Sequence, residues 1–282
     1  MPRSISEMAG SLRPARNTGR TLTPAADTLA ERKLGCHLAC SNEMERAVAS
    51  SHLPKMTAEL LKSYSEAALR NADELLREAS LLRDRDHVAR AYFLAVACIE
   101  ETGKALLAFD AQKRNLSDPA VCTKLKSTME SHAQKINYAL GIWAVGCPDP
   151  RKAILMAVDL ILDLKRGREP SMYTELRTDP DRVQSPSEIV RASAAADCVR
   201  LAEECLKNAY RHAHEKEPAE FTSAQDKLFT MKSAKFQEML NTEDFWWYYI
   251  ARMEAGQQDV AEAVQGYEQD HIKKGTKFRA DE

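Results

Sequence analysis

Glycine and proline are scarce in this sequence, with 10 Gly and 11 Pro among 282 residues. Both residues interrupt helices, so a chain with few of them has room for long uninterrupted helices. Hydrophobic residues make up 44% and charged residues 29%, which is the balance of an ordinary globular protein. Ala, Leu, Glu, Lys and Arg are abundant, and the composition therefore predicts an all-α fold.

An excess of charge of either sign is also missing, because 40 basic residues stand against 42 acidic ones, for a net charge of −2. The overall charge does not attract this chain to nucleic acid, so DNA binding is not expected and an RNA contact would need a local basic patch. No uninterrupted apolar run approaches the roughly 18 residues of a membrane span, so no membrane association is expected.

The cysteines lack the paired CxxC spacing of a zinc site. Their number is odd, and they are scattered at positions 36, 40, 98, 122, 147, 198 and 205. This distribution fits a reducing, cytoplasmic setting, and we expect neither a metal nor a cofactor. Cys198 and Cys205 are seven residues apart on a predicted helix, so we expect them to be neighbours in the core.

Residues 1–55 contain many Ser, Thr, Gly and Pro residues and no sustained hydrophobic period, which predicts a mostly disordered N-terminal extension. Helical order is predicted to begin at Thr57, a favourable N-cap residue, with apolar residues every three or four positions as far as Leu82. Asp86 is predicted to cap a second helix that reaches Phe109. The short connection between the two helices predicts an antiparallel hairpin.

A third helix is predicted to begin at Ser117-Asp118-Pro119, where Pro is tolerated in the first turn. Its apolar stripe includes His132 and reaches Trp143. A fourth predicted helix runs from Asp149-Pro150 to about Arg166.

Residues 167–185 form the longest predicted loop, and loops of this length are often functional. A capping box at Ser185-Pro186-Ser187-Glu188 then opens a long fifth helix. Beyond Pro218 the pattern predicts two or three more helices, around residues 219–241, 243–255 and 257–271. The chain is thus predicted to have three parts: the extension at residues 1–55, a helical bundle at residues 56–215 and a helical appendage at residues 216–282.

Two short polar clusters interrupt apolar helical segments and form the candidate site. In the first cluster, Glu100, Glu101 and Lys104 lie among apolar residues of the second helix, where burial without partners is costly. Lys104 is within one helical turn of both acids and can pair with either. Two interpretations stay open: a structural ion pair, or charges that bind a ligand.

In the second cluster, His132 and Lys135 are three positions apart and share a helix face. An imidazole exchanges a proton near pH 7, and a fixed ammonium group stabilises a phosphorane-like transition state. A general base with a fixed cation is the minimum for metal-independent RNA cleavage, in which the 2′-hydroxyl is the nucleophile. The alternative is a core histidine that bonds to a backbone carbonyl or to Glu101.

A basic cluster of Lys165, Arg166 and Arg168 lies where the fourth helix meets the long loop. It either binds a phosphate group or complements the negative C-terminal end of the helix. The cations of the segment Arg211 to His214 end the fifth helix, and we assign them the same capping role.

From about Met56 to His214 the chain resembles the AbiV family of abortive-infection proteins, in the HEPN superfamily of helical domains. The resemblance rests on the order and spacing of six short segments: Asn71-Ala72 with Leu75-Leu76, Arg90-Ala91-Tyr92, Glu100 to Lys104, His132-x-x-Lys135, Arg168 with Met172-Tyr173, and Ser185-Pro186. It implies a HEPN-like helical bundle with additional C-terminal helices, and it adds Asn71 and Tyr173 to the candidate binding residues.

The resemblance also implies a function, since members of this family are bacterial antiphage proteins that arrest growth or translation in infected cells. HEPN domains are commonly dimers, and many are ribonucleases with an Arg-x4–6-His motif. The predicted bundle departs from that motif, because the segments Arg32 to His37 and Arg46 to His52 fall in the N-terminal extension. We therefore predict that His132 and Lys135 replace the motif as acid/base and phosphate stabiliser, with Glu101 orienting one of them.

A non-catalytic function stays open beside the catalytic one. The missing motif and the near-neutral charge favour a helical module that binds a phage or translation-related protein. Five consecutive aromatic residues, Phe245 to Tyr249, face all sides of their predicted helix, so some of them must pack on the bundle or on a partner. A small-ligand or nucleotide sensor, with phosphate on Lys165, Arg166 and Arg168, is a third interpretation.

Overall fold

The computed structural model of this protein describes residues 56–178 and 181–278. These residues contain 11 α-helices, and the structure is 76% helical. A two-stranded hairpin is the only sheet in the described part of the chain. The predicted all-α class is therefore confirmed, whereas the prediction for residues 1–55 falls outside the described residues.

The first two helices form the predicted hairpin. Helix α1 spans Ala58–Arg83 and starts at its N-cap Thr57, whose side chain accepts a hydrogen bond from the Leu60 amide. Helix α2 spans Val88–Asp110, and its N-cap is His87 rather than Asp86. Asp86 instead adopts a left-handed backbone with φ of 60°, a conformation that Asp tolerates better than most residues, and it turns the chain between the helices.

The predicted third helix is divided in two, so the expectation of one continuous helix is wrong. Helix α3 spans Pro119–Glu130 and helix α4 spans His132–Val145. Ser131 between them has an extended backbone, and its side chain accepts a hydrogen bond from the Gln134 amide as the N-cap of α4. Because of this break, His132 is the first residue of a helix and its side chain is 55% exposed, not inside the core.

Helix α5 spans Pro150–Arg168 and begins at the predicted cap Asp149, whose side chain accepts a hydrogen bond from the Lys152 amide. The predicted long loop that follows contains a short antiparallel hairpin. Strand β1 spans Glu175–Thr178 and strand β2 spans Asp181–Gln184, with Glu175 opposite Gln184.

The capping box at Ser185 is present, but it opens a helix of only four residues, α6 at Pro186–Ile189. The chain is extended at Val190 and Arg191, and the long helix α7 then spans Ala192–Glu215. The predicted continuous fifth helix is therefore interrupted, because these two extended residues separate α6 from α7.

Helix α2 lies at the centre of the bundle and packs against α1, α4 and α7. Many of its buried residues are small, and this lets three neighbouring helices approach it closely. The buried alanines are Ala89, Ala91, Ala95, Ala105 and Ala108. Cys198 and Cys205 of α7 are buried in this same hydrophobic core, as their spacing predicted. No helix in residues 56–178 and 181–278 is both long and apolar enough to cross a membrane.

The residues after 215 add four helices, one or two more than the sequence predicted: α8 at Ser223–Thr230, α9 at Ser233–Leu240, α10 at Glu243–Glu254 and α11 at Val260–Tyr267. A π-helical turn at Glu268–Ile272 follows. Phe245 and Tyr248 pack with Met239, Val264 and Tyr267 in a second hydrophobic cluster. The buried part of the aromatic run thus packs on these C-terminal helices. The expectation that it packs on the bundle is wrong.

Arg114 joins these C-terminal helices to the bundle. Its guanidinium lies 3.7 Å from the ring centroid of Phe221 and 4.1 Å from that of Phe229, and it pairs with the buried Asp226 at 2.7 Å. The Asn115 amide donates a hydrogen bond to the same carboxylate over 3.0 Å. Asp226 is therefore the polar anchor between the loop after α2 and helix α8.

Candidate functional site

Gly103 brings α2 and α4 into close contact. A Cβ atom at this position would lie 1.9 Å from the carbonyl oxygen of Lys135, so only glycine fits without moving a backbone. The approach places the α2 residue Glu100 beside the first turn of α4, where His132 and Lys135 are located.

Glu100 is 4% exposed, and its carboxylate contacts two cations and one imidazole. Its Oε2 atom lies 2.6 Å from His132 Nδ1 and 3.1 Å from Lys135 Nζ. Its Oε1 atom lies 2.9 Å from Arg168 Nε, at the end of α5. We call these four residues the Glu100 cluster. The cluster joins three helices around one buried negative charge.

Arg168 is held in place by several further contacts. Its guanidinium lies 5.4 Å from the ring centroid of Phe93 and also pairs with Glu169. Its carbonyl oxygen accepts a hydrogen bond from the buried Ser171 hydroxyl over 2.6 Å. Although Arg168 Nε is near Glu100 Oε1, the N–H does not point along the hydrogen-bond direction, because Oε1 accepts no hydrogen bond from the described residues. The contact is an ion pair without a hydrogen bond, so Oε1 of Glu100 is still free to accept one.

The charges around Glu100 keep it ionised. Burial raises the pKa of its carboxyl, but the hydrogen bond from His132 and the charges of Lys135 and Arg168 lower the pKa by more, so the net shift is downward. An ionised carboxylate accepts the Nδ1–H of His132, which leaves the lone pair on Nε2. Since the His132 side chain is half exposed, that second nitrogen is available to a substrate.

The structure brings together four of the residues that the sequence singled out: Glu100, His132, Lys135 and Arg168. The carboxylate that orients His132 is Glu100 and not Glu101, which corrects the predicted role of Glu101. The neighbouring Glu101 points about 100° further around α2 and pairs with Lys104 instead.

The other predicted binding residues do not join the Glu100 cluster. Four of them are exposed and form no ion pair with Glu100: Asn71 on α1, Lys165 and Arg166 on the last turn of α5, and Tyr173 after α5. The predicted basic cluster is thus divided, because only Arg168 turns inward.

The sequence pattern did not predict two contacts, one within the site and one apart from it. Phe93 lies beneath Arg168, and its position seven residues before Glu100 on the same face of α2 was a usable signal. His212 was interpreted as a helix cap, but its Nε2 atom lies 3.2 Å from Oδ1 of the buried Asp110. That second contact ties α7 to α2 and is separate from the Glu100 cluster.

In the part of the chain that the structure describes, no group of three or more His, Cys, Asp or Glu side chains is placed to hold a metal ion. The fold and the site define a class of protein: a helical bundle in which a buried carboxylate contacts a histidine, a lysine and an arginine. The sequence model of the HEPN_AbiV family, described as AbiV, matches residues 60–207, which is just over half of the chain. The chain therefore belongs to the AbiV family of HEPN domains, as its resemblance implied.

The family points to abortive-infection defence against phage. The matched residues include the whole Glu100 cluster and end before the C-terminal helices. Neither a curated protein nor a solved structure matches the chain.

Proposed function

We propose that this protein arrests the growth or translation of phage-infected bacteria by metal-independent cleavage of RNA in the cytoplasm. The observation that carries the proposal is the 2.6 Å contact between His132 Nδ1 and the buried Glu100 carboxylate. This pairing fixes the orientation of the imidazole and turns Nδ1–H toward the carboxylate, as carboxylate–histidine pairs do in nucleophilic enzymes.

In the proposed reaction, His132 Nε2 takes the proton of a ribose 2′-hydroxyl. The 2′ oxygen forms a bond to the adjacent phosphorus, and the bond from phosphorus to the 5′ oxygen breaks. The leaving oxygen takes a proton from solvent, so the products are a 2′,3′-cyclic phosphate and a 5′-hydroxyl end. The proton on His132 then returns to solvent and regenerates the base.

The two cations have different roles in this proposal. Lys135 is buried, with 8% of its side chain exposed, and it positions Glu100. Arg168 is more accessible, at 20%, and its guanidinium presents further N–H groups beyond those that contact Glu100 and Glu169. We assign Arg168 the contact with the negative charge that develops on the phosphate.

The test compares wild type with His132→Ala and Arg168→Ala, and uses His214→Ala, an exposed histidine at the end of α7, as a matched control. We expect purified wild type and the control to cut RNA into fragments with 2′,3′-cyclic phosphate ends, while His132→Ala loses at least a hundredfold in rate. Circular dichroism is the control that all four proteins keep their helical fold. A folded His132→Ala protein that still cleaves RNA and still arrests growth would end the catalytic proposal.

One observation favours a second candidate, a non-catalytic module that binds a phage or translation-related protein. Trp246, Trp247, Ile250 and Met253 share one side of α10 and are 37–45% exposed. Both indole N–H groups already donate within the chain, to the Leu240 carbonyl and to Glu243. The exposed ring faces are therefore apolar, which suits a protein partner. Trp246→Ser with Trp247→Ser would then abolish protection against phage, and neither purified wild type nor this variant would cut RNA.

We also propose a homodimer, because HEPN domains often dimerise. Ile154, Leu155, Val158 and Leu162 form an apolar stripe on the outer side of α5 and are 45–75% exposed. A stripe on one straight helix can pair with its own copy about a two-fold axis. Leu155→Glu with Val158→Glu should halve the mass found by analytical ultracentrifugation, and Leu176→Glu on the exposed hairpin should not. A dimer that survives the α5 double change excludes this interface.

A further inference from the structure

A cavity of about 540 Å³ lies at the beginning of α2. Its lining includes Arg90 from the first turn of α2, Ser171 and Met172 from the segment after α5, and Ser187 and Val190 from the segment before α7. Ser171 connects the cavity to the Glu100 cluster, because its hydroxyl donates to the carbonyl oxygen of Arg168 over 2.6 Å. The cavity and the cluster are therefore neighbouring parts of one surface.

Three segments that carry the family resemblance meet at this cavity, and the residues that line it are not members of the Glu100 cluster. Arg90 belongs to the segment Arg90-Ala91-Tyr92, Met172 to the segment Met172-Tyr173, and Pro186 to the segment Ser185-Pro186. They are far apart in the sequence, and only the folded bundle brings them together.

Arg90 is the charged group that points to a ligand. It is exposed, and its side chain has no hydrogen bond or ion pair with any described residue. Arg90, Phe93 and Glu100 lie within one third of the circumference of α2, and Arg90 is roughly 15 Å from Glu100 along the helix axis. A basic side chain with no partner in the described chain, on the same helix face as the proposed catalytic cluster, suits a second phosphate of a bound strand.

The remaining lining suits a nucleobase. Met172 and Val190 are apolar, while the Asp86 carboxylate and the Ser187 hydroxyl are hydrogen-bonding groups. The cavity volume is within the range of about 300–1,000 Å³ that is common for small-ligand sites. Single-stranded RNA presents unstacked bases that enter such cavities, whereas paired bases do not.

We propose that this cavity binds one unpaired nucleotide of a single-stranded RNA whose scissile phosphate is at Arg168. The base occupies the cavity and Arg90 contacts the phosphate of that nucleotide, so the strand passes over Phe93 between the two sites. This inference rests on the proposed function, since it assigns the same RNA a second contact.

Binding is tested with the full chain carrying His132→Gln, which stops the proposed cleavage. The probe is a short fluorescent single-stranded RNA, measured by fluorescence anisotropy. Arg90→Ala is expected to raise Kd about tenfold, while Arg211→Ala, which removes the same charge at the far end of α7, changes it less than twofold. Ser187→Trp fills the cavity without changing its charge and should also raise Kd, whereas a paired RNA of the same length should bind equally to all variants.

Equal effects of Arg90→Ala and Arg211→Ala, together with no effect of Ser187→Trp, would overturn the nucleotide site. Cleavage is measured separately on chains that retain His132, where Arg90→Ala should raise KM more than it lowers kcat. If wild type does not cut RNA but binding still depends on Arg90 and Ser187, the proposed function fails and the nucleotide site stands. If RNA is cut and the binding of the variants is indistinguishable, the nucleotide site fails and the function stands.

Discussion

At the residue scale, the Glu100 carboxylate determines the stability of the cluster, because His132, Lys135 and Arg168 all contact it. Glu100→Gln keeps the shape of the side chain but leaves Lys135 buried without its counter-charge. We expect the free energy of unfolding to fall by about 3 kcal/mol, which is typical of a buried pair that loses one member. Urea denaturation measures this value.

Glu101→Gln is the matched control, since Lys104 is the one ion-pair partner of Glu101 among the described residues. Both side chains of this pair are partly buried, yet less so than Glu100 and Lys135, and we expect the change to lower the free energy of unfolding by about 1 kcal/mol. Similar losses in the two variants would show that the Glu100 carboxylate is not the central charge of the bundle.

The lowered pKa of Glu100 also predicts a pH dependence. Because the pKa is lower in the folded protein than in the unfolded chain, the stabilisation is complete above the ordinary pKa of 4.5 and is lost as the pH falls through the folded value. The difference in unfolding free energy between wild type and Glu100→Gln should shrink as the pH falls below about 4.5. A difference that persists unchanged at pH 3 would contradict the lowered pKa.

At the scale of elements, the contact between α2 and α4 depends on Gly103. Gly103→Ala would place a Cβ atom 1.9 Å from the Lys135 carbonyl oxygen, so the helices must separate. We expect a loss of about 3 kcal/mol in unfolding free energy, as in other overpacked cores, and a loss of RNA cleavage because His132 moves away from Glu100.

Gly141→Ala tests the same replacement at a position where the added methyl group has room. Gly141 is also helical, on α4, and apart from the backbone of that helix no atom lies within 4 Å of the added Cβ. Alanine is the better helix former, so we expect a gain of about 0.5–1 kcal/mol in thermal or urea unfolding. A loss at Gly141 as large as that at Gly103 would show that the effect comes from helix propensity and not from the helix contact.

At the scale of the whole molecule, Asp226 fastens the C-terminal helices to the bundle through Arg114 and the Asn115 amide. Asp226→Ala leaves a nearly buried guanidinium unpaired, and we expect α8 to α11 to lose about 2 kcal/mol of protection in hydrogen exchange, while α2 and α4 keep theirs.

Glu220→Ala is the control, because the Lys113–Glu220 pair crosses the same junction but is largely exposed. It should leave the exchange of α8 to α11 unchanged. A loss of protection that spreads equally into α2 would mean that the predicted boundary near residue 215 does not separate two cooperative units.

Much of the fold was predictable from local chemistry. Thr57 and Asp149 each cap the helix that the sequence predicted, because a side-chain oxygen before an apolar period satisfies a free amide at the helix start. The breaks at Ser131 and at Val190 were missed, since the apolar period continues across both, although Ser131 accepts a hydrogen bond from the Gln134 amide as a local N-cap.

The candidate site was predictable in its residue types but not in its pairing. Glu100, His132, Lys135 and Arg168 are conspicuous in the sequence because polar groups in apolar segments need partners. Which acid faces His132 depends on the rotation of α2, and Glu100 and Glu101 differ by about 100° around that helix. The contact through Gly103 fixes the rotation, and no local pattern contains that information.

The sequence by itself determined that this chain is helical, where most of its helices begin, and that it belongs to the AbiV family, because periodicity, capping and family motifs are local properties of the chain. Only the tertiary structure decided that Arg168 joins Glu100 while Lys165 and Arg166 stay outside, and that Arg90, Met172 and Pro186 line one cavity. These residues are distant in the chain, and their meeting depends on how three helices pack around the small side chains of α2.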